Sequence, residues 1–145
     1  MGARGRVCPL SYRHGAGALV EAPSLAADVA WIAGGLYGNL YALAAIEARV
    51  ATDAEGDRPR LVFNGDFHWF DTDPRDFATI QHRVLRHTAL AGNVEAELAA
   101  PYDEAGCGCA YPEFVDDATV ERSNRIIERL RATAAGTPDA ADTLA

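Results

Sequence analysis

The chain has 145 residues, of which 49% are hydrophobic and 23% charged, and its formal net charge is -8. This length and composition predict one globular domain with a hydrophobic core and argue against general disorder. The 13 basic residues, all arginine, are outnumbered by 21 acidic residues. We therefore expect no extended phosphate-binding face and no nucleic-acid partner.

Membrane and export signals are not expected either. No apolar run approaches the ~18 residues of a transmembrane helix, and the first residues lack the continuous apolar segment of a secretory signal. The cysteines number three, namely Cys8, Cys107 and Cys109, and an odd number fits a reduced compartment better than a disulfide scaffold. The sequence thus predicts a cytoplasmic protein with no membrane partner.

The first half of the chain predicts one strand and one helix after an irregular lead-in at residues 1–27. A short buried strand, Val29 to Ala33, ends at two glycines. Asn39 can then N-cap a helix from Leu40 to about Val50, because its side-chain oxygen can accept a backbone N–H of the first turn.

The second half continues the alternation of strands and helices. "RLVFN" predicts a second buried strand, and Asp73 followed by Pro74 is a strong helix start for residues up to His87. "TALAGN" predicts a third short strand, and residues 101–112 a loop that carries "CGC". Asp116 or Asp117 caps a last helix, and residues 135–145 are a predicted flexible tail.

The order strand–helix–strand–helix–strand predicts an α/β fold. Short apolar strands joined by helices form a mainly parallel sheet with right-handed βαβαβ crossovers, here within residues 28–134. Three polar loops, Gly34–Asn39, Gly65–Asp71 and Gly92–Glu95, would follow the strands. We expect them at one sheet edge, where open α/β sheets bind ligands.

The three loops read "GGLYGNLYAL", "FNGDFHWF" and "LAGNVEAEL". Their order and spacing resemble the calcineurin-like metallophosphoesterases, which carry D-x-H-G-N, then G-D, then G-N-H-[DE], with further histidines later. The resemblance covers roughly Val29 to Leu98. It implies the N-terminal half of the αββα sandwich of that family.

The resemblance implies hydrolysis of a phosphoester small molecule. In the family, two divalent cations ~3.5–4 Å apart clamp the phosphoryl group and activate a water. Asp66 matches the carboxylate that bridges both metals, and Asn93 matches the amide that ligates the second metal and orients the phosphate. These two residues are the predicted catalytic residues, and the metals would be Mn, Fe, Ni or Zn.

Other motif positions supply further candidates. His68 follows Asp66 by two residues, so in an extended chain both side chains would point the same way and could share a metal. His68 could instead pack with the aromatic residues that follow it. Tyr37, Asn39 and Glu95 are the predicted substrate contacts.

The sequence also departs from the family pattern. Aligned on G-N, the Asp and His of D-x-H fall at Gly35 and Tyr37, and the His of the third motif falls at Val94. One carboxylate and one amide cannot hold a metal pair alone. Two alternatives follow: a non-catalytic binding or interaction module of this fold, or one part of a longer polypeptide with further ligands downstream.

The cysteines allow a second kind of site. Cys107 and Cys109 could bind a soft metal with Cys8 as a third thiolate, although C-x-C differs from the C-x₂₋₄-C spacing of structural zinc. The alternative is a loop of small residues packed over the domain.

The predicted sheet is small. Three short strands leave edges and one face uncovered, and we therefore expect a homodimer that covers this surface.

Overall fold

The computed structural model describes residues 4–8, 15–21, 24–53, 59–99 and 106–137. Strands β1 (Ala30–Ala33), β2 (Arg60–Asn64) and β3 (Thr88–Leu90) form a parallel sheet in the order β1-β2-β3. The helices are α1 (Ala18–Glu21), α2 (Leu40–Thr52), α3 (Pro74–Val84), α4 (Asn93–Ala99) and α5 (Asp117–Ala135). The predicted α/β class with a parallel sheet is confirmed.

Side-chain caps start three of the helices where the sequence predicts them. Asn39 Oδ1 accepts the N–H of Ala42 at 2.9 Å and begins α2. Asp73 accepts two backbone N–H groups at the start of α3, and Asp116 accepts the backbone N–H and the hydroxyl of Thr119 at the start of α5. These caps satisfy N–H groups that have no partner inside the helix, so each one sets a boundary.

The main core lies on one face of the sheet. Leu61 and Phe63 of β2 pack in one cluster with Leu43 of α2 and with Ile80 and Val84 of α3. Both crossover helices therefore cover the same face. This follows from the strand order, because two successive parallel connections that advance in one direction place their helices on one side.

The opposite face of the sheet is exposed on its two edge strands. Ile32 of β1 is 71% exposed and Leu90 of β3 is 52% exposed, while Val62 between them is buried. The prediction of a buried first strand is wrong for this face, because β1 is an edge strand whose alternate residues point away from the helices. The homodimer that would cover this surface stays a prediction.

A second hydrophobic cluster joins the last third of the chain to α3. Phe77 of α3 packs with Val94 of α4, with Cys107, and with Ile127 and Leu130 of α5. The long α5 therefore folds back onto the body of the domain. Across the described residues, no helix combines the length and the apolar character that crossing a bilayer requires.

Residues 4–8 of the predicted lead-in also belong to this body. The Arg6 guanidinium donates to the carbonyls of Pro112 and Val115, each at 2.7 Å, and pairs with Asp117. The Gly5 carbonyl accepts the Tyr111 N–H at 2.9 Å. The lead-in thus contains a packed segment as well as the one-turn helix α1. At the other end α5 extends to residue 135, and residues 138–145 of the predicted tail lie outside the described residues.

Candidate functional site

The three polar loops meet at the carboxyl edge of the sheet, with Asp66 at their centre. The Asp66 carbonyl accepts the N–H groups of Leu36 and Tyr37 at 3.1 and 3.0 Å. Its side-chain Oδ1 accepts the N–H of Val94 at 3.3 Å. The first and third loops therefore bond to the same residue of the second loop, and the expected convergence of the loops is confirmed.

Glycines allow the second and third loops to touch through their backbones. A Cβ on Gly65, where φ is +74°, would lie 2.6 Å from the backbone N of Gly92. A Cβ on Gly92 would lie 2.1 Å from Oδ1 of Asp66. Only glycine fits at this contact, because a side chain at either position would meet backbone atoms or the short carboxylate.

Glu95 joins the second and third loops by accepting hydrogen bonds from the backbones of both. Its Oε2 accepts the N–H groups of Asp66 at 2.7 Å and Gly92 at 2.9 Å, and its Oε1 accepts the N–H of His68 at 3.2 Å. Burial raises the pKa of the Glu95 carboxyl, and the three N–H bonds oppose that rise. Both oxygens of this predicted substrate contact already have backbone donors, so Glu95 positions the loops.

His68 is 0% exposed and lies inside the domain. Its Nδ1 is 2.5 Å from an oxygen of Asp71, and its Nε2 is 2.7 Å from Oε1 of Gln81. The ring stacks on Phe77 with 3.9 Å between centroids. Both ring nitrogens have protein partners, so this arrangement leaves neither open to a cation.

Asn93 begins a helix where the sequence analysis places a loop through Glu95. Helix α4 starts at Asn93, and the Ala96 N–H donates to the Gly92 carbonyl at 3.0 Å. The alanines and glutamates that follow Asn93 are good helix formers, which explains why a helix that the sequence analysis does not predict forms here. The Asn93 side-chain amide donates to the Cys107 carbonyl at 3.2 Å, so the "CGC" loop reaches this edge.

Gly35 and Tyr37 are the residues that the motif alignment places opposite the acid and the histidine of the metallophosphoesterases. Tyr37 has a φ of +51°, a conformation that non-glycine residues rarely adopt. Its ring lies on Gly35, where a Cβ would be 2.6 Å from the ring carbon Cζ. The tyrosine ring therefore fills the space in which a side chain at position 35 would start.

An apolar cavity of about 540 Å³ opens next to this tyrosine. Three aromatic residues, Trp31, Tyr37 and Phe70, line it together with aliphatic residues of the core edge. Tyr37 is 50% exposed, and Asn39 reaches the wall although its oxygen caps α2. The Trp31 indole N–H is buried without a hydrogen-bond partner among the described residues.

The side-chain donors at the loop edge do not fit a pair of divalent metals. Glu95 and His68 are committed to hydrogen bonds within the protein, which leaves Asp66 and Asn93 as the two predicted ligands at the loop edge. In the described ranges, no group of three or more His, Cys, Asp or Glu side chains could hold a metal ion. A metal pair needs more oxygen or nitrogen donors than these loops present.

Sequence reasoning missed the aromatic walls and the partners of His68. The sequence places Trp31 in a strand and Phe70 among packing residues, and it does not link Asp71 or Gln81 to the imidazole. The signal for the cavity is the density of aromatic residues beside the first two loops. The link from His68 to Gln81 has no local signal because it depends on how α3 packs.

Comparison of the chain with protein-family models, with curated proteins and with solved structures found no match. The resemblance to the calcineurin-like metallophosphoesterases therefore rests on the three loop motifs.

Proposed function

We propose that the chain is a ligand-binding module with a metallophosphoesterase-like loop edge, and that its described residues do not form a complete phosphoesterase centre. The observation that carries the proposal is the pairing of Gly35 with Tyr37. The tyrosine ring stands where a side chain at position 35 would begin, so an aromatic surface replaces two groups that would bind metal. The Tyr37 side chain also forms part of the wall of the neighbouring cavity.

The cavity favours a small molecule with a planar apolar or aromatic group. Its volume of about 540 Å³ lies in the range of small-molecule sites, and its aromatic rings offer flat surfaces for stacking. The net charge of -8 favours a neutral or cationic ligand over an anion. The strained backbone of Tyr37 supports a functional role, since such conformations cluster at ligand sites.

The test compares neutral and anionic planar probes. We expect adenosine or another neutral nucleoside to give saturable binding by calorimetry, and the matching monophosphate to bind more weakly. Tyr37→Ala should weaken binding about tenfold, because it removes one stacked ring. Tyr41→Ala is the matched control, since Tyr41 is exposed on α2 and does not line the cavity. Equal binding by both variants, or no binding of any planar probe to the wild type, would contradict the proposal.

A phosphoesterase is the second candidate, and the position of Asp66 beside the start of α4 favours it. The two candidates separate in one comparison of wild type with Asp66→Asn. Metal content is measured by elemental analysis, and hydrolysis of an aryl phosphate is measured with Mn, Fe, Ni or Zn added. We expect equal metal content in the two proteins and no metal-dependent turnover in either. Turnover that disappears in the variant would establish the phosphoesterase instead.

A further inference from the structure

The "CGC" loop brings two cysteines together. Gly106, Gly108 and Ala110 have φ values of +63°, +67° and +48°, so left-handed residues alternate with the cysteines and turn the chain tightly between them. The Cys109 thiol points back to the Cys107 carbonyl at 3.5 Å.

Neighbouring elements hold this loop in place. The Cys107 N–H donates to Oδ1 of Asn124 on α5 at 3.1 Å, and its carbonyl accepts from the Asn93 amide of α4. Arg131 of α5 donates to the Gly106 carbonyl at 3.3 Å. Cys107 is buried and Cys109 is partly exposed, so one sulfur of the pair is accessible from solvent while the other is enclosed.

We infer that Cys107 and Cys109 form a reversible dithiol–disulfide pair that exchanges with low-molecular-weight disulfides such as glutathione disulfide. One residue of a tight turn separates the two cysteines, and the Cys109 sulfur already points back toward Cys107, so side-chain rotation can bring the sulfurs to the ~2.05 Å of a disulfide bond. A ring closed across a single intervening residue departs from relaxed disulfide geometry, and strained disulfides are readily reduced. The pair is therefore suited to exchange more than to permanent cross-linking.

The electrostatics of the loop distinguish the two thiols. The hydrogen bond from the Cys109 thiol lowers the pKa of Cys107 to about 7, and the same bond raises the pKa of Cys109. Cys107 is thus the thiolate of the pair near neutral pH, which suits it to the second attack, on the Cys109 sulfur of a mixed disulfide.

The exchange balances in two steps. The partly exposed Cys109 thiol attacks glutathione disulfide and gives its proton to water, which forms a mixed disulfide on Cys109 and releases one glutathione thiolate. The released glutathione thiolate takes up that proton, and the Cys107 thiolate then attacks the Cys109 sulfur and releases the second glutathione as a thiolate. The protein dithiol loses two electrons, and glutathione disulfide gains them.

The experiment equilibrates the full chain in glutathione buffers of graded redox ratio. Samples are quenched in acid, free thiols are tagged, and peptides are mapped by mass spectrometry. We expect a peptide that loses two mass units through a Cys107–Cys109 bond as the buffer becomes oxidising, and that recovers both tags when reduced. Cys8→Ser should leave this transition unchanged, because Cys8 takes no part in the pair.

Single variants identify the two roles. Cys107→Ser should trap a stable glutathione adduct on Cys109, because the resolving sulfur is gone. Circular dichroism checks that this variant is folded. The wild-type peptide map tests the inference independently of the variant. Thiols that stay reduced in pure glutathione disulfide, or a bond that includes Cys8, would overturn the inference. Stoichiometric Zn²⁺ binding by a pair that never oxidises would also overturn it and would indicate a soft-metal site.

Discussion

Glu95→Gln is expected to lower the free energy of unfolding by about 3 kcal/mol. The carboxylate accepts three backbone N–H groups, from Asp66, His68 and Gly92, and both oxygens are used. Glutamine has nearly the same shape but offers one oxygen, so its NH₂ would face at least one of these N–H donors. The change removes charge-assisted bonds and leaves a buried donor without an acceptor. Urea denaturation of the two proteins measures the difference.

Glu121→Gln is the matched control for this prediction. Glu121 is on the exposed side of α5, where its ion pair with Arg125 is in solvent at 3.5 Å. Exposed pairs contribute little, so this change should alter the free energy of unfolding by no more than about 0.5 kcal/mol. If Glu95→Gln cost no more than the control, Glu95 would not tie the loops as described.

His68→Phe is expected to cost about 4 kcal/mol of unfolding free energy. Phenylalanine can keep the stacked contact with Phe77, but it gives no hydrogen bond to Asp71 or to Gln81. The Asp71 carboxylate would then be a buried charge without its imidazole partner. Removing one partner of a buried pair lowers stability strongly, because the remaining charge stays buried and unpaired. Thermal and urea unfolding provide the measurement.

Two further variants test the cause of that loss. His82→Phe changes a histidine on the exposed side of α3 and should have little effect. Adding Asp71→Asn to His68→Phe should recover part of the lost stability, because it removes the unpaired charge while keeping an acceptor for the Trp69 N–H. A double variant no more stable than His68→Phe would show that the charge is not the source of the loss.

These two predictions bear directly on the proposed function. If Glu95 and His68 stabilise the loops, they are unavailable as ligands for a metal or a phosphate. The remaining candidate sites are then the aromatic cavity beside Tyr37 and the thiols of the "CGC" loop. Both surfaces adjoin the loop edge. Neither of them requires Asp66 or Asn93 to act as a metal ligand.

The helix starts show what local sequence can predict. Asn39 caps α2 through a residue three positions away, and Asp116 caps α5 over the same separation. Such bonds involve only neighbours in the chain, so residue type and spacing are sufficient to identify them. The start of α4 at Asn93 was missed because the motif comparison assigned the same residues to a loop.

The sequence by itself determined the alternation of strands and helices, the parallel sheet, and the meeting of three polar loops at its carboxyl edge. These features depend on periodicity, caps and the geometry of parallel strands. Only the tertiary structure decided what the loop residues do. Glu95 bonds to Asp66 across 29 positions and His68 to Gln81 across 13. Partners so far apart along the chain are set by packing, and it is these partners that commit a carboxylate or an imidazole to the scaffold.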